Sequence, residues 1–406
     1  MFESLANIPQ EELESRFEAV RSHLRDVAPE AGGILIFSRL NIYYFTGTLG
    51  QGALWIPLEG NPVLMIRKGV ERARLEAGLE PHPFKSYGQI PEVCAEAGSP
   101  LTATVGAETA GLTWQLSNML TAKLSETTFQ PADHAVALAK AVKSTWELNI
   151  MRKVGQRHHR CLHELIPEVI KPGMSEREIS HKAWEVFFAN GHQGLMRMQA
   201  HGEEAFLGHV AAGNSGNYPS IFNGPLGLRG EHPASPYMGY AGKLWNEGEP
   251  LGMDIGFIVE GYHTDKTQTY WAGPASSIPD EVRRAHDFCI EMQQWVADNA
   301  RPGATPEELY LYCASQAEER GFGEGFMGLG ENKVPFIGHG IGLTIDEWPP
   351  LAKKFRDPLK PGMVIAVEPK QGIPGVGMVG VENTFEITEE GARCITGDEF
   401  DIICVE

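Results

Sequence analysis

Two segments in the second half of the chain have the pattern of β-hairpins that each carry two carboxylates. The first segment spans residues 252–265, and a turn at 259–260 sets Asp254 directly opposite Asp265. Directly opposed side chains have Cβ atoms about 4.5–5.5 Å apart. Because two ionised carboxylates that close repel one another, the pattern favours a cation between them.

The second segment repeats this arrangement after a histidine. Folding residues 364–382 at Gly375 sets Glu368 opposite Glu382, and a Gly-His-Gly motif with His339 at its centre lies between the two segments. Two Asp, two Glu and one His form an oxygen-rich ligand set with one nitrogen donor. This set suits two bridged divalent ions, with Mn²⁺, Co²⁺, Fe²⁺ or Zn²⁺ as candidates, better than a structural zinc ion.

The pattern of secondary structure changes near residue 140. Before that point, residues 10–24 have the apolar spacing of an amphipathic helix. Three short β-like runs follow, at residues 33–37, 53–57 and 62–66. Strands that alternate with helices indicate an α/β layer.

After residue 140, one sequence pattern occurs twice. A Pro-Gly turn leads into a capping box in each copy, Ser175 with Glu178 and Thr305 with Glu308. Each copy is followed by one of the acidic hairpins, which predicts a duplicated domain. We therefore expect an α+β protein with two domains, residues 1–140 and 141–406.

The composition argues against several classes of function. The 34 Lys and Arg against 53 Asp and Glu give a formal net charge of −19, which disfavours general nucleic-acid binding and docking on anionic lipid. No apolar run reaches about 18 residues, so no membrane span is predicted. The six cysteines form no C-x-x-C pair, and the N-terminal 14 residues contain no apolar signal core. These features indicate a cytoplasmic protein with free thiols.

The same motifs resemble the signature of the pita-bread metallopeptidase family, which includes Xaa-Pro aminopeptidases, prolidases, methionine aminopeptidases and creatinase. Residues 41–47 resemble the creatinase-type N-terminal domain, and residues 143–152 resemble the start of the catalytic domain. The resemblance implies a pseudo-twofold catalytic domain behind a creatinase-like α/β domain, and a homodimer. It also implies five metal ligands, which are Asp254, Asp265, His339, Glu368 and Glu382.

Several accessory positions depart from the family pattern. Asn223 and Asp346 stand where the family carries two histidines that bind substrate and stabilise the tetrahedral intermediate. An asparagine can donate a hydrogen bond but cannot shuttle a proton, and an aspartate can act only as a base. His232 and His263 are nearby histidines that could compensate. Three further positions differ, where Gln268, Gly380 and Asn383 replace an arginine, an arginine and an aspartate.

Three functions follow from these observations. The first is a dinuclear-metal-dependent hydrolase of the Xaa-Pro aminopeptidase or dipeptidase type, in which Glu368 takes the proton of the attacking water. The second is a family member repurposed as a metal-dependent lyase or as a hydrolase of another small molecule. The third is a metal-binding protein without turnover. Because both family histidines are missing, we expect weak or narrow activity on small Xaa-Pro peptides.

Overall fold

The computed structural model describes residues 6–199 and 205–406. Residues 1–5, on which the expectation of no signal core partly rests, lie outside the described residues. The chain divides into two compact units, of which the first ends at Lys140 and the second begins at Ala141. No helix in the described part of the chain is long and apolar enough to cross a lipid bilayer.

The first unit is a six-stranded sheet flanked by helices. Its helices are α1 (Gln10–Val27), α2 (Arg39–Thr46), α3 (Val70–Glu76), α4 (Ile90–Glu96), α5 (Trp114–Lys123) and α6 (Asp133–Ala141). Its strands are β1 (Gly33–Ile36), β2 (Gln51–Pro57), β3 (Val63–Lys68), β4 (Pro81–Pro83), β5 (Thr104–Ala107) and β6 (Thr128–Pro131), in the order β4-β3-β2-β1-β5-β6. The predicted helix and the three predicted strands are confirmed.

Apolar spacing explains how α1 joins this unit. Leu13, Phe17, Val20 and Leu24 recur every three or four residues, and all four are buried. This spacing places them on one face of a helix, which packs against β1 and β2.

In the described residues, the second unit has two four-stranded sheets, each accompanied by a pair of helices. The first half has α7 (Thr145–His159), α8 (Glu176–Ala189), β7 (Gly208–Ala212), β8 (Pro250–Val259) and β9 (Tyr262–Ala272), with β16 (Ile403–Val405) on the outer edge of β9. The second half has α9 (Asp280–Asn299), α10 (Pro306–Glu319), β10 (Gly338–Gly340), β11 (Val364–Val367), β14 (Asn383–Ile387) and β15 (Ala392–Cys394). A two-stranded hairpin, β12 (Lys370–Ile373) with β13 (Gly377–Gly380), projects from the latter.

The two predicted capping boxes open equivalent helices in the two halves. Ser175 with Glu178 caps α8, and Thr305 with Glu308 caps α10, and both helices have 14 residues. Each cap satisfies two otherwise unpaired backbone N–H groups, so both helices begin where the sequence predicts. The order of helix pair and sheet is therefore repeated within this unit.

The register predicted for the first acidic hairpin is wrong by two residues. Asp254 lies opposite Thr267, and Asp265 lies opposite Gly256. The turn is centred on Glu260–Gly261, one residue later than predicted, because both residues adopt positive φ, +54° and +85°. Two positive φ values define the type I′ turn that matches the twist of a hairpin. The two aspartates are consequently diagonal neighbours on one face of the sheet.

The second acidic segment has the predicted register. Val367 lies opposite Asn383 on one side of the acidic pair, and Lys370 lies opposite Gly380 on the other. Glu368 and Glu382 fall at matching positions between these two ladders. The segment thus brings its two carboxylates together across a short interruption in the sheet.

Candidate metal centre

His339, the histidine of the centre, lies on the edge strand β10, whose backbone packs closely against neighbouring backbone. β10 pairs with β11, and His339 lies opposite Ala366. A Cβ atom at Gly338 would stand 2.1 Å from the Ala366 carbonyl oxygen, and one at Gly340 would stand 2.2 Å from the Trp348 carbonyl oxygen. Only glycine fits at these two positions, so the flanking glycines are what allow the imidazole to reach the carboxylates.

The five predicted ligands converge in two groups that share one glutamate. Ligand atoms of Asp265, His339 and Glu382 lie within 4.8 Å of one another, as do those of Asp254, Glu368 and Glu382. The His339 Nε2 atom is 3.6 Å from Glu368 Oε1 and 3.9 Å from Glu382 Oε1. The five side chains therefore form one continuous ligand set with a nitrogen donor at one end.

A lysine lies at the opposite end of this set. Lys370 is 1% exposed, and its Nζ atom lies 3.2 Å from Asp254 Oδ2, 3.2 Å from Glu368 Oε2 and 2.7 Å from Glu382 Oε2. The two glutamates thus present one oxygen to His339 and the other to Lys370. We call these the histidine side and the lysine side of the centre.

Burial and crowding shift the protonation of the carboxyls. Burial, together with the nearby Asp254, raises the pKa of Asp265 to about 7. Burial likewise raises the pKa of Glu368 and raises that of Glu382 well above its usual value. Burial acts in the same direction on Asp254, but Lys370, His209 and the hydrogen bonds to Asp254 together outweigh it, so the pKa of Asp254 is lowered. The negative charge on the histidine side is therefore incompletely balanced by the chain, and its donor set fits a divalent cation.

Two threonines, Thr267 on β9 and Thr384 on β14, bond to the acidic residues. Thr267 Oγ1 donates a hydrogen bond to Glu382 Oε2 at 3.0 Å, and its backbone N–H donates to the Glu382 carbonyl oxygen at 3.1 Å. Thr384 Oγ1 accepts from the Asp265 backbone N–H and donates to the Asp265 carbonyl oxygen, both at 2.8 Å. These bonds tie the first acidic hairpin to the second.

A buried glutamate holds the loop that follows His339. Glu347 Oε1 accepts hydrogen bonds from the backbone N–H groups of Leu343 and Thr344, at 3.0 and 3.2 Å. Its second oxygen lies 3.4 Å from Lys143 Nζ in a buried ion pair. The loop is thereby fixed on the strand that carries the imidazole.

Comparisons with known proteins agree with this geometry. The family model described as "Metallopeptidase family M24" matches residues 149–389, and that of the "Creatinase/Prolidase N-terminal domain" matches residues 16–142. The chain belongs to metallopeptidase family M24. This membership confirms the predicted family, the two-domain α+β fold and the metallopeptidase class of enzyme.

Relatives within family M24 extend over nearly the whole chain. The Xaa-Pro dipeptidase of Pyrococcus furiosus is 27% identical over 372 residues, which cover 91% of this chain and 94% of that protein. The solved prolidase from Pyrococcus furiosus has 25% identity and a TM-score of 0.72, and the match covers 93% of this chain and 99% of that one. The dipeptidase PepE from Mycobacterium ulcerans, at 21% identity, shares the fold with a TM-score of 0.79 and covers 98% of this chain and 100% of that one.

His263, one of the histidines that could compensate, is fully buried and bonded to backbone on both ring nitrogens. Its Nδ1 atom lies 3.0 Å from the Gly342 carbonyl oxygen, and its Nε2 atom accepts from the Arg197 N–H at 3.2 Å. Burial lowers the pKa of His263 to about 3, so the ring is neutral. The structure places His263 as a support of the loop after His339.

Asp346 and the other two candidates occupy different surroundings. Asp346 Oδ1 accepts from the Gln199 N–H at 2.8 Å, and burial raises the pKa of this carboxyl. Asn223 and His232 are exposed on residues 218–249, which form neither helix nor strand. The His232 Nδ1 atom accepts from the Ala234 N–H at 3.1 Å within a local turn. Of the four accessory candidates, Asp346 is half-buried on the loop after His339, and His263 is buried against that loop.

Two of the remaining departures from the family pattern, Asn383 and Gln268, are hydrogen-bonded within the protein. Asn383 Oδ1 accepts from Lys266 Nζ at 2.6 Å, and its Nδ2 donates to Gln293 Oε1 at 2.9 Å. Gln268 Nε2 donates to the Asp401 carbonyl oxygen at 3.0 Å. These side chains are satisfied within the protein, so they hold the strands around the centre.

Sequence reasoning missed His209, which lies on β7 directly opposite Asp254. Its ring packs on Phe222 with centroids 4.8 Å apart, and its Nδ1 atom is buried without a hydrogen-bond partner among the described residues. The pairing of β7 with β8 brings His209 next to Asp254. The sequence around His209 is glycine-rich and precedes a long irregular loop, so it does not predict this pairing.

Proposed function

We propose that the protein is a metal-dependent peptidase that cleaves short peptides next to proline. The observation that carries the proposal is the convergence of Asp254, Asp265, His339, Glu368 and Glu382 in one set, of which Asp265, Glu368 and Glu382 are buried. The relatives named as Xaa-Pro dipeptidase and prolidase, which align over nine-tenths of the chain, support this substrate class.

The residues of the centre have different roles in the proposed hydrolysis. A divalent ion bound there supplies Lewis-acid polarisation of a carbonyl group and lowers the pKa of a water molecule. Glu368, whose Oε1 atom faces His339, takes the proton of the attacking water and delivers it to the leaving nitrogen. Thr267 keeps the side chain of Glu382 in place during this exchange, and Thr384 holds the backbone of Asp265.

Asp346 is the accessory residue best placed to assist this reaction. It lies seven residues after His339, on the loop that Glu347 fixes, and can act as a base. Participation of Asn223, His232 and His263 stays a prediction. The exposure of the first two and the paired ring nitrogens of His263 give it little support.

The chemistry of the candidate ligands indicates which divalent ions the centre would bind. Four carboxylates and one imidazole suit Mn²⁺, Co²⁺, Fe²⁺ or Zn²⁺. The two-ion count predicted from the sequence requires both the histidine side and the lysine side to be open to an ion.

We also propose a cytoplasmic homodimer. The six cysteines are all free thiols, which supports a reducing compartment. Association is supported only by the resemblance to relatives with this N-terminal domain. A mass of 44.6 kDa by light scattering at micromolar concentration would contradict the dimer.

A panel of Xaa-Pro dipeptides and longer Xaa-Pro peptides tests the proposed activity. Each is incubated with full-length protein that has been freed of metal and reloaded with Mn²⁺ or Co²⁺. We expect turnover that disappears with chelator and returns with metal, and no turnover of matched Xaa-Ala peptides. If the protein binds metal yet cleaves no peptide, the metal-dependent lyase or non-peptide hydrolase replaces this proposal.

A further inference from the structure

Lys370 stands where the sheet register leaves space for a cation next to the carboxylates. It lies directly opposite Gly380, the position at which the family pattern has an arginine. Gly380 has φ of +136°, and a Cβ atom there would stand 2.4 Å from the Pro369 carbonyl oxygen and 2.7 Å from Lys370 Cα. No side chain fits at 380 in this backbone, so the positive charge comes from the opposite strand.

The ammonium group of Lys370 is fully used by the carboxylates of the lysine side. Its Nζ atom donates hydrogen bonds to Glu368 Oε2 at 3.2 Å and to Glu382 Oε2 at 2.7 Å, and it forms an ion pair with Asp254 Oδ2 at 3.2 Å. These acceptors belong to the same three residues that form one of the two groups able to hold an ion. Lysine and a second ion would therefore compete for the same oxygens.

The histidine side is arranged differently. The Oε1 atoms of Glu368 and Glu382 face His339 Nε2, and Asp265 completes that group. Lys370 contacts neither of these Oε1 atoms, since its contacts are with the Oε2 atoms. The oxygens of the lysine side are thus paired with the ammonium of Lys370, whereas those of the histidine side face the imidazole of His339.

We infer that the ammonium of Lys370 takes the place of one of the two ions predicted from the sequence, so that each chain binds a single divalent ion on the histidine side. The inference rests on the metal centre of the proposed function. An ion on the lysine side would have to bind the oxygens that Lys370 holds and would lie close to a like charge. A fixed cation there keeps the glutamates in place whether or not the ion is bound.

Metal stoichiometry of the full-length protein tests this inference. Metal-free protein is dialysed against excess Mn²⁺, and bound metal is measured by elemental analysis and by electron paramagnetic resonance. We expect one ion per chain and the six-line spectrum of an isolated Mn²⁺ ion for the wild type. For Lys370→Met, which keeps the length of the side chain and removes its charge, we expect two ions and a spin-coupled spectrum.

Lys266→Met is the matched control. Lys266 is also a buried lysine, but its Nζ atom bonds to Asn383 Oδ1. Side chains of adjacent strand residues point to opposite faces, so Lys266 points away from the carboxylate of Asp265. This variant should bind one ion, as the wild type does.

The outcomes separate the inference from the proposed function. Two ions in the wild type overturn the inference and leave the proposed function standing, and so does one ion in both the wild type and a folded Lys370→Met. No bound ion in the wild type overturns both. If Lys370→Met does not fold, the wild-type count alone decides the inference.

Discussion

The histidine side and the lysine side of the centre share two glutamates but balance their negative charge in different ways. On the lysine side, the buried ammonium of Lys370 donates hydrogen bonds to Glu368 and Glu382 and forms an ion pair with Asp254. On the histidine side, burial and Asp254 raise the pKa of Asp265 to about 7. The difference teaches that a buried carboxylate cluster must be neutralised, and that this chain provides one of the cations itself.

Removing the residue common to both sides should have the largest effect. Glu382 belongs to both ligand groups, so Asp265→Ala combined with Glu382→Ala leaves neither group complete. We expect near-complete loss of bound metal and a fall in peptide turnover of about 10²-fold or more. Elemental analysis after dialysis against Mn²⁺ or Co²⁺ measures the first quantity. Unchanged metal binding by this double variant would show that the ion lies elsewhere.

A smaller effect should come from the threonine that orients Glu382. Thr267→Val removes the hydrogen bond to Glu382 Oε2 and keeps the shape of the side chain. Loss of a residue that orients a metal ligand costs about 10–100-fold in metal affinity, and we expect a decrease in that range. Isothermal titration with Mn²⁺ measures it.

The neighbouring threonine provides the control for this change. Thr269 is also buried on β9, but its hydroxyl donates to the Gly380 carbonyl oxygen, at 2.8 Å. Thr269→Val should lower stability while leaving the metal affinity within a few-fold of the wild type. Equal losses of affinity in both variants would mean that the hydrogen bond to Glu382 is not what matters.

A buried histidine that is not a candidate ligand should make the stability of the fold depend on pH. His192 is buried and neutral, because burial lowers its pKa to about 4, below its value in an unfolded chain. The unfolded chain then binds one more proton than the folded chain between about pH 4 and 6.5, so stability falls as the pH falls. This group should contribute a loss of about 1 kcal/mol in unfolding free energy between pH 6 and pH 5.

The variant His192→Gln isolates this contribution. It can retain a polar contact to the Gly256 carbonyl oxygen, which His192 Nε2 contacts at 3.2 Å, and it cannot titrate in this range. Chemical denaturation of metal-free wild type and variant at both pH values should show a shallower pH dependence for the variant. Parallel curves would contradict the assignment of a neutral buried imidazole.

The convergence of the candidate ligands could be predicted because the four carboxylates lie at fixed offsets in two acidic segments. The register of the second segment followed from its symmetric spacing about Gly375, and the capping boxes of α8 and α10 followed from local sequence alone. The first hairpin was misplaced because Glu260, a residue that seldom adopts positive φ, occupies the first turn position. Residue preferences for turns therefore do not locate a hairpin turn whose first residue is glutamate.

The surroundings of the ligands depend on long-range pairing, which residue spacing does not encode. His209 reaches Asp254 only through the pairing of β7 with β8. Asn223 and His232 lie on the irregular residues 218–249, where counting residues does not fix a position in space. Lys370 acquires its role from its place opposite Gly380.

The most direct test of the difference between the two sides is a crystal structure of the Mn²⁺-loaded protein with anomalous diffraction data. A single anomalous peak at coordination distance from His339 Nε2 and the Asp265 carboxylate, with Lys370 Nζ still paired with Asp254, is the predicted result. A second peak at coordination distance from Asp254 Oδ2, with the lysine displaced, would contradict the account.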